Sequence, residues 1–317
     1  MSNGPDLSHF VQHRQLDVYA QSMARQGYAY GVDLRRSRWL SSSTIGNALV
    51  RAVDRAWPRL TTELEQQVLE TPAVPAALLR EIAGHMSLLR APLPTVRPLR
   101  DQARGRWPLV TALGATRGGS SWLLLDVEAL GALEPGPRAF LLGAGLGHLH
   151  CEHAVFFSAH LLAERKEGSA SIRALRATLA PWTKVMTFSA DRAGLLACGE
   201  LDAALATIES PPVAIGEDPS PAWLPPTPPA AVRMRALEEF AKSAVFARVT
   251  AARARRRELA RRRLTLELDA TPKLDTEASD AKAEGPPPPP REPIHVPADA
   301  WPLARVDARL TERLNLL

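Results

Sequence analysis

Proline sets the outer limits on what this chain can fold into. Prolines number 28 against 19 glycines, and each one fixes φ and removes a backbone donor, so it starts, kinks or ends a helix and stays out of central strands. Pro58, Pro72 and Pro75 punctuate the N-terminal third, residues 211–229 form a proline-rich joint, and residues 286–290 are an unbroken proline run. Between these breaks the chain is 45% apolar but only 5% aromatic, which predicts small-residue helices around a sizeable core rather than a β-sandwich.

The apolar spacing fills in the segments. A helix is expected over residues 6–30, and a second holds Ile45, Leu49, Val53 and Trp57 on one face, capped by Ser42 or Ser43 and ended or kinked at Pro58. A third is expected over residues 76–89. From Pro94 the period shortens: residues 95–99, 108–116 and 121–125 are short apolar runs, and Arg117-Gly118-Gly119 supplies a turn. This predicts a small sheet containing a hairpin. Helices resume near Val127 and are expected again over residues 171–179, 188–206 and 229–266. Leu303, Val306, Leu310, Leu314 and Leu317 then step by three, four, four and three, the stripe of a short amphipathic helix. No internal repeat is evident.

Five regions follow: an N-terminal helical region (1–75), a core (76–210), the proline-rich joint with a long basic helix (211–267), a low-complexity disordered linker (268–300) and the C-terminal amphipathic segment (301–317). The fold class expected is α+β, mainly α. The linker tethers a C-terminal helix that either docks on its own core or serves as a ligand for a protein partner.

Composition excludes several functions. Two cysteines, Cys151 and Cys198, rule out a disulfide framework and a Cys₄ zinc module. No window approaches the run of about 18 apolar residues that spans a bilayer, and the start MSNGPDLSHFVQHRQ has no apolar leader core. The expectation is a soluble cytoplasmic protein without a membrane span. The net charge of +5 rests on arginine, concentrated at Arg253, Arg255, Arg256, Arg257, Arg261, Arg262 and Arg263 against the single acid Glu258. That run is a candidate polyanion site. No aromatic side chain lies between Phe246 and Trp301 to stack on bases, so a solvated helix face is the favoured reading.

Two segments carry a resemblance. Residues 140–153 read FLLGAGLGHLHCEH and residues 189–198 read SADRAGLLAC. With the preceding hairpin, they resemble the HtpX-like and CaaX-prenyl-protease-like zinc peptidases, gluzincins in which a helix carries H-E-x-x-H and a later helix brings a glutamate four residues before the Asp of a Ser-Ala-Asp-Arg-Ala run. The likeness spans residues 78–249 and implies a zincin-like helical domain. Two imidazoles at i and i+4 place their nitrogens on one helix face about 2.0 Å from zinc, and the intervening Glu serves as general base to the metal-bound water.

On this alignment the first ligand position is Ala144, the base position Gly145, the second ligand His148, and the third ligand position Thr187. Only His148 survives, so the resemblance implies no catalytic residue. Asp191 and Arg233 occupy the family's supporting positions, and Asp191 is equally read as an ion-pair partner of Arg192 or Arg233. The expected function is that of a non-catalytic, peptidase-like module that binds protein and needs no cofactor. One alternative is an active zinc endopeptidase rebuilt around His148, Cys151 and Glu152, which a continuing helix would place on one face, with His150 and His153 opposite. The other is a nucleic-acid-associated factor using the arginine helix. Gly143, Gly145 and Gly147 lack the Lys-Ser/Thr of a phosphate loop; inside a helix they cost about 1 kcal/mol each relative to Ala, so close packing by another element is expected to compensate.

Overall fold

A computed structural model describes residues 18–115, 121–164, 170–212, 224–269 and 294–315, without side chains at 260–269 and at several positions of 171–181. The fold is mainly helical with one small sheet, as the spacing predicts. Residues 18–26 are helical (α1), followed by α2 (Gly31–Ser42), α3 (Thr44–Glu65) and α4 (Ala76–Leu89). Ser43 caps α3, its hydroxyl accepting from Gly46 N at 3.0 Å, and Leu49, Val53, Trp57, Leu60 and Leu64 form the buried face. Of the two outcomes expected at Pro58, an end or a kink, the end does not occur. Leu60 and Leu64, which continue the buried face beyond it, help to outweigh one missing hydrogen bond.

Strands β1 (Thr95–Pro98), β2 (Val110–Leu113) and β3 (Trp122–Leu125) form a sheet of order β1-β3-β2. β1 runs parallel to β3, and β2 runs antiparallel to it with Thr111 opposite Leu124 and Leu113 opposite Trp122. The β2–β3 pairing realises the expected hairpin, while its turn at residues 117–119 lies outside the described residues. β3 is the central wall of the protein. Leu123 and Leu125 join one core with α4, α6 and α8, whereas Trp122 and Leu124 join a second with α3 and α7. That is why WLLL reads as a continuous apolar run rather than an alternating one.

The remaining helices are α5 (Val127–Ala132), α6 (Pro135–His150), α7 (Ala154–Glu164), α8 (Ala170–Cys198), α9 (Leu201–Glu209), α10 (Ala230–Ala241), α11 (Ala244–Asp269) and α12 (Leu303–Arg313). Two expected boundaries are corrected. The segments 171–179 and 188–206 belong to one helix, α8, which runs through Pro181 and stops at Gly199 (φ +79°); α9 is separate. The long helix expected over 229–266 is two helices. Trp301 inserts its backbone at the break, donating to Lys242 O at 2.8 Å and accepting from Ala244 N at 2.9 Å. No helix among the described residues is long and apolar enough to cross a membrane.

α12 docks on its own chain. Val306 and Leu310 are buried, Asp307 accepts from Arg192 at 2.7 Å and from Gly31 N at 2.9 Å, and Arg309 and Arg313 hold Glu239. Its apolar stripe is covered from within as far as Leu314, the first of the two alternatives expected for residues 301–317, while Leu317 lies outside the described residues.

α6 and α8 form the tightest seam. Cβ atoms added at Gly143 and Gly147 would press on Ala197 and Ala193, respectively, and one at Gly194 on Phe140. The glycines are the contact surface, as their helical cost requires. Gly147→Ala is accordingly expected to destabilise the fold by about 1–3 kcal/mol through overpacking. Gly84→Ala, in α4 where an added Cβ meets nothing within 4 Å, is expected to stabilise it by about 0.5–1 kcal/mol. Urea unfolding of the two variants beside the parent checks the pair; a destabilised Gly84→Ala or a stabilised Gly147→Ala contradicts this packing.

Candidate functional site

The site lies where α6 ends. Cys151 N donates to Gly147 O at 2.9 Å, Glu152 takes a left-handed conformation (φ +61°), and His153 N donates to His148 O at 2.8 Å. The backbone turns sharply, which corrects the assumption that the helix continues through His153. His153 folds back over His148 and their Nδ1 atoms meet at 2.9 Å. Glu152 instead faces outward to Arg25 and Ser37, each at 2.8 Å. The proposed face of His148, Cys151 and Glu152 therefore does not form.

α2 delivers the partner that sequence reading missed. Asp33, 1% exposed, accepts from His153 Nε2 at 2.9 Å and from Ser189 Oγ at 2.6 Å, and pairs with Arg36 at 2.8 Å. Arg36 is fully buried, donates to Cys151 O at 3.3 Å and lies over the Phe156 ring. The signal was present as D-x-x-R in α2, but this spacing is common on solvated helices and marks nothing by itself.

The electrostatics order the protons. Burial alone would raise the Asp33 carboxyl, yet Arg36, His153 and Ser189 outweigh it and hold the group below the usual carboxylate range. Burial pushes His153 down despite Asp33, and burial together with His153 pushes His148 well below the ordinary imidazole value. Both rings are therefore neutral near pH 7. A carboxylate only accepts, so His153 carries its proton on Nε2 and offers the Nδ1 lone pair. His148 must then donate from Nδ1, which leaves its Nε2 as a lone pair.

His148 opens onto a cavity of about 190 Å³. Ala144, Thr187, Asp191 and Arg233 line the same cavity, so five of the positions aligned with the peptidase family meet there, while the base position Gly145 faces Val110 and Leu123 instead. Asp191 binds Arg233 through two contacts of 3.0 and 2.7 Å, whereas Arg192 goes to Asp307. Ala144 carries no donor atom and Thr187 only a neutral hydroxyl. A single imidazole does not hold zinc, and the residues present do not fit the family's metal. A Cβ at the base position Gly145 would run into Val110 of β2, so there is no room there for a glutamate without a shift of the strand.

Asp33, Cys151 and His153 also place one potential ligand atom each within 4.8 Å of one another. In this structure the three belong to a hydrogen-bonded and ion-paired cluster. Both His153 nitrogens are engaged, Arg36 sits on Asp33, and burial and Asp33 push the Cys151 thiol far up so that it stays protonated.

The arginine run lies apart from this cavity, on α11. Arg253 donates to Ala197 O at 2.6 Å and, with Arg256 and Arg257, lines a hollow of about 380 Å³ shared with Glu81, His85 and Glu200. Arg255 is engaged in a contact of its own. The side chains of Arg261, Arg262 and Arg263 lie outside the described residues.

The buried histidines make the fold acid-sensitive. His150, which accepts from Tyr28 and donates to Gln21 O, is lowered by burial to about 4. Groups held neutral in the fold but protonated at about 6.5 when unfolded stabilise the native state at neutral pH and lose that contribution as pH falls below 6.5. From His150 alone the loss between pH 7 and 4 is expected to reach ~3 kcal/mol, with His148 and His153 adding to it in the same direction. Urea unfolding across this range checks it; a flat profile contradicts the neutral assignment. Comparison with family models, with curated proteins and with solved structures finds no match.

Proposed function

We propose that this protein is a non-catalytic, peptidase-like binding module that receives an extended peptide segment at the cavity beside β2. The observation that carries the reading is the convergence of Ala144, His148 and Thr187 on one cavity, where of these three only His148 carries an imidazole or carboxylate to offer a metal. With neither zinc ligands nor a base at Gly145, the route to an activated water that the resemblance implies is missing.

The strand geometry supports an extended ligand. Asp126 N donates to Leu109 O at 3.0 Å, so in the antiparallel register Leu109, Thr111 and Leu113 bond toward β3. Val110 and Ala112 then turn their backbone N–H and C=O groups away from β3, and among the described residues the sheet ends at β2. Both residues also line the cavity. A peptide pairing with that edge places every second side chain toward the hollow.

Two experiments test this. Ala144→Phe fills the cavity and is expected to weaken a selected peptide at least about tenfold while leaving the melting temperature close to that of the parent. Unchanged affinity places peptide binding elsewhere. Ala144→His combined with Thr187→Glu, with Gly145 left alone, is expected to bind one equivalent of zinc by elemental analysis and to lose it on adding His148→Ala. A folded double variant without metal shows that these positions do not correspond to the family's ligands.

A further inference from the structure

The cavity has a directional polar end. Its walls at Phe140, Leu141, Phe157, Met186 and Leu224 are apolar; on the same wall Thr183 donates to Ala180 O at 2.7 Å and Asp191 is held by Arg233. His148 Nδ1 is occupied by His153, and Nε2 has no hydrogen-bond partner among the described residues. With both rings neutral, the chain Ser189 and Arg36 to Asp33, Asp33 to His153, His153 to His148 gives that nitrogen the accepting role. A buried acceptor left unmatched by an apolar occupant costs about 1–3 kcal/mol, so the site discriminates by donor.

Size narrows the class. An apolar cavity of about 150 Å³ takes one benzene ring, and this one, at about 190 Å³, has room for a ring with small substituents. We infer that the cavity accepts a phenol, as a tyrosine side chain or a free phenolic compound, with its hydroxyl donating to His148 Nε2 and its ring among Phe140, Phe157 and Met186. This rests on the reading of the cavity as a binding site but not on the ligand being a peptide. An ion-paired Arg233 and a neutral His148 offer no free cation for a carboxylate or phosphate at this end, which is what separates a phenol from an anionic ligand.

Three ring probes test it on the full chain by NMR titration or calorimetry: p-cresol, toluene and 4-methylanisole. Transfer from water alone favours toluene, so the expected order is diagnostic. The parent protein is expected to bind p-cresol about tenfold more tightly than either ring without a donor, one hydrogen bond's worth. His148→Leu is expected to abolish that preference while retaining toluene. If that variant fails to fold, the comparison with the smaller toluene in the parent still decides, as does the ¹⁵N spectrum, where His148 Nε2 is expected at the position of an unprotonated ring nitrogen. Equal or weaker binding of p-cresol, no binding of any probe, or a protonated Nε2 overturns the inference. A p-cresol preference in a protein that binds no peptide supports it and removes the peptide reading; peptide binding with toluene preferred does the reverse.

Discussion

The Asp33 carboxylate is the group on which the site depends. Putting an ionised oxygen pair in a core is costly unless it is matched on every side, and here Arg36, His153 and Ser189 supply the matches from α2, the turn after α6, and α8. Tyr30 N donates in turn to Ser189 Oγ at 3.0 Å, so the start of α2 is held to the same point. Three separate pieces of chain thus meet at one charge. Through His153 that charge also sets which nitrogen of His148 carries a proton, and so reaches the cavity without touching it.

The second constraint is steric. Gly143 and Gly147 on α6 face Ala193 and Ala197 on α8, with Gly194 answering Phe140, and the two helices approach more closely than larger side chains permit. That approach places Ala144 and His148 across from Thr187 and Asp191 around the cavity. Glycine in a helix loses propensity, and the seam it allows is what compensates. The cavity is therefore a consequence of helix spacing, and β2 closes it on a third side.

Much of this architecture was legible in the sequence. The cap at Ser43, the helix over 76–89, the three short strands and the stripe of α12 all follow from local rules, because capping, turn residues and apolar period act over a few residues. Ala144, His148 and Thr187, singled out in the sequence, share a cavity. The failures have physical causes. Pro58 fails to stop its helix because burial of Leu60 and Leu64 helps to outweigh one lost hydrogen bond. The turn at Glu152 was missed because α6 had no glycine at its end: a glutamate adopts the left-handed conformation there, with Arg25 and Ser37 holding its carboxylate.

By itself, the sequence determined the segment types, the small sheet, and the absence of a charged or imidazole side chain at Ala144 and Thr187, since each of these depends on residue identity or near-neighbour spacing. Only the tertiary structure decided that Asp33, 120 positions from His153, would govern the proton on His148, that α12 would cover its own stripe, and that Trp301 would divide the long helix. Those outcomes depend on which distant groups share a desolvated space, and pairing across such distances leaves no periodic trace along the chain.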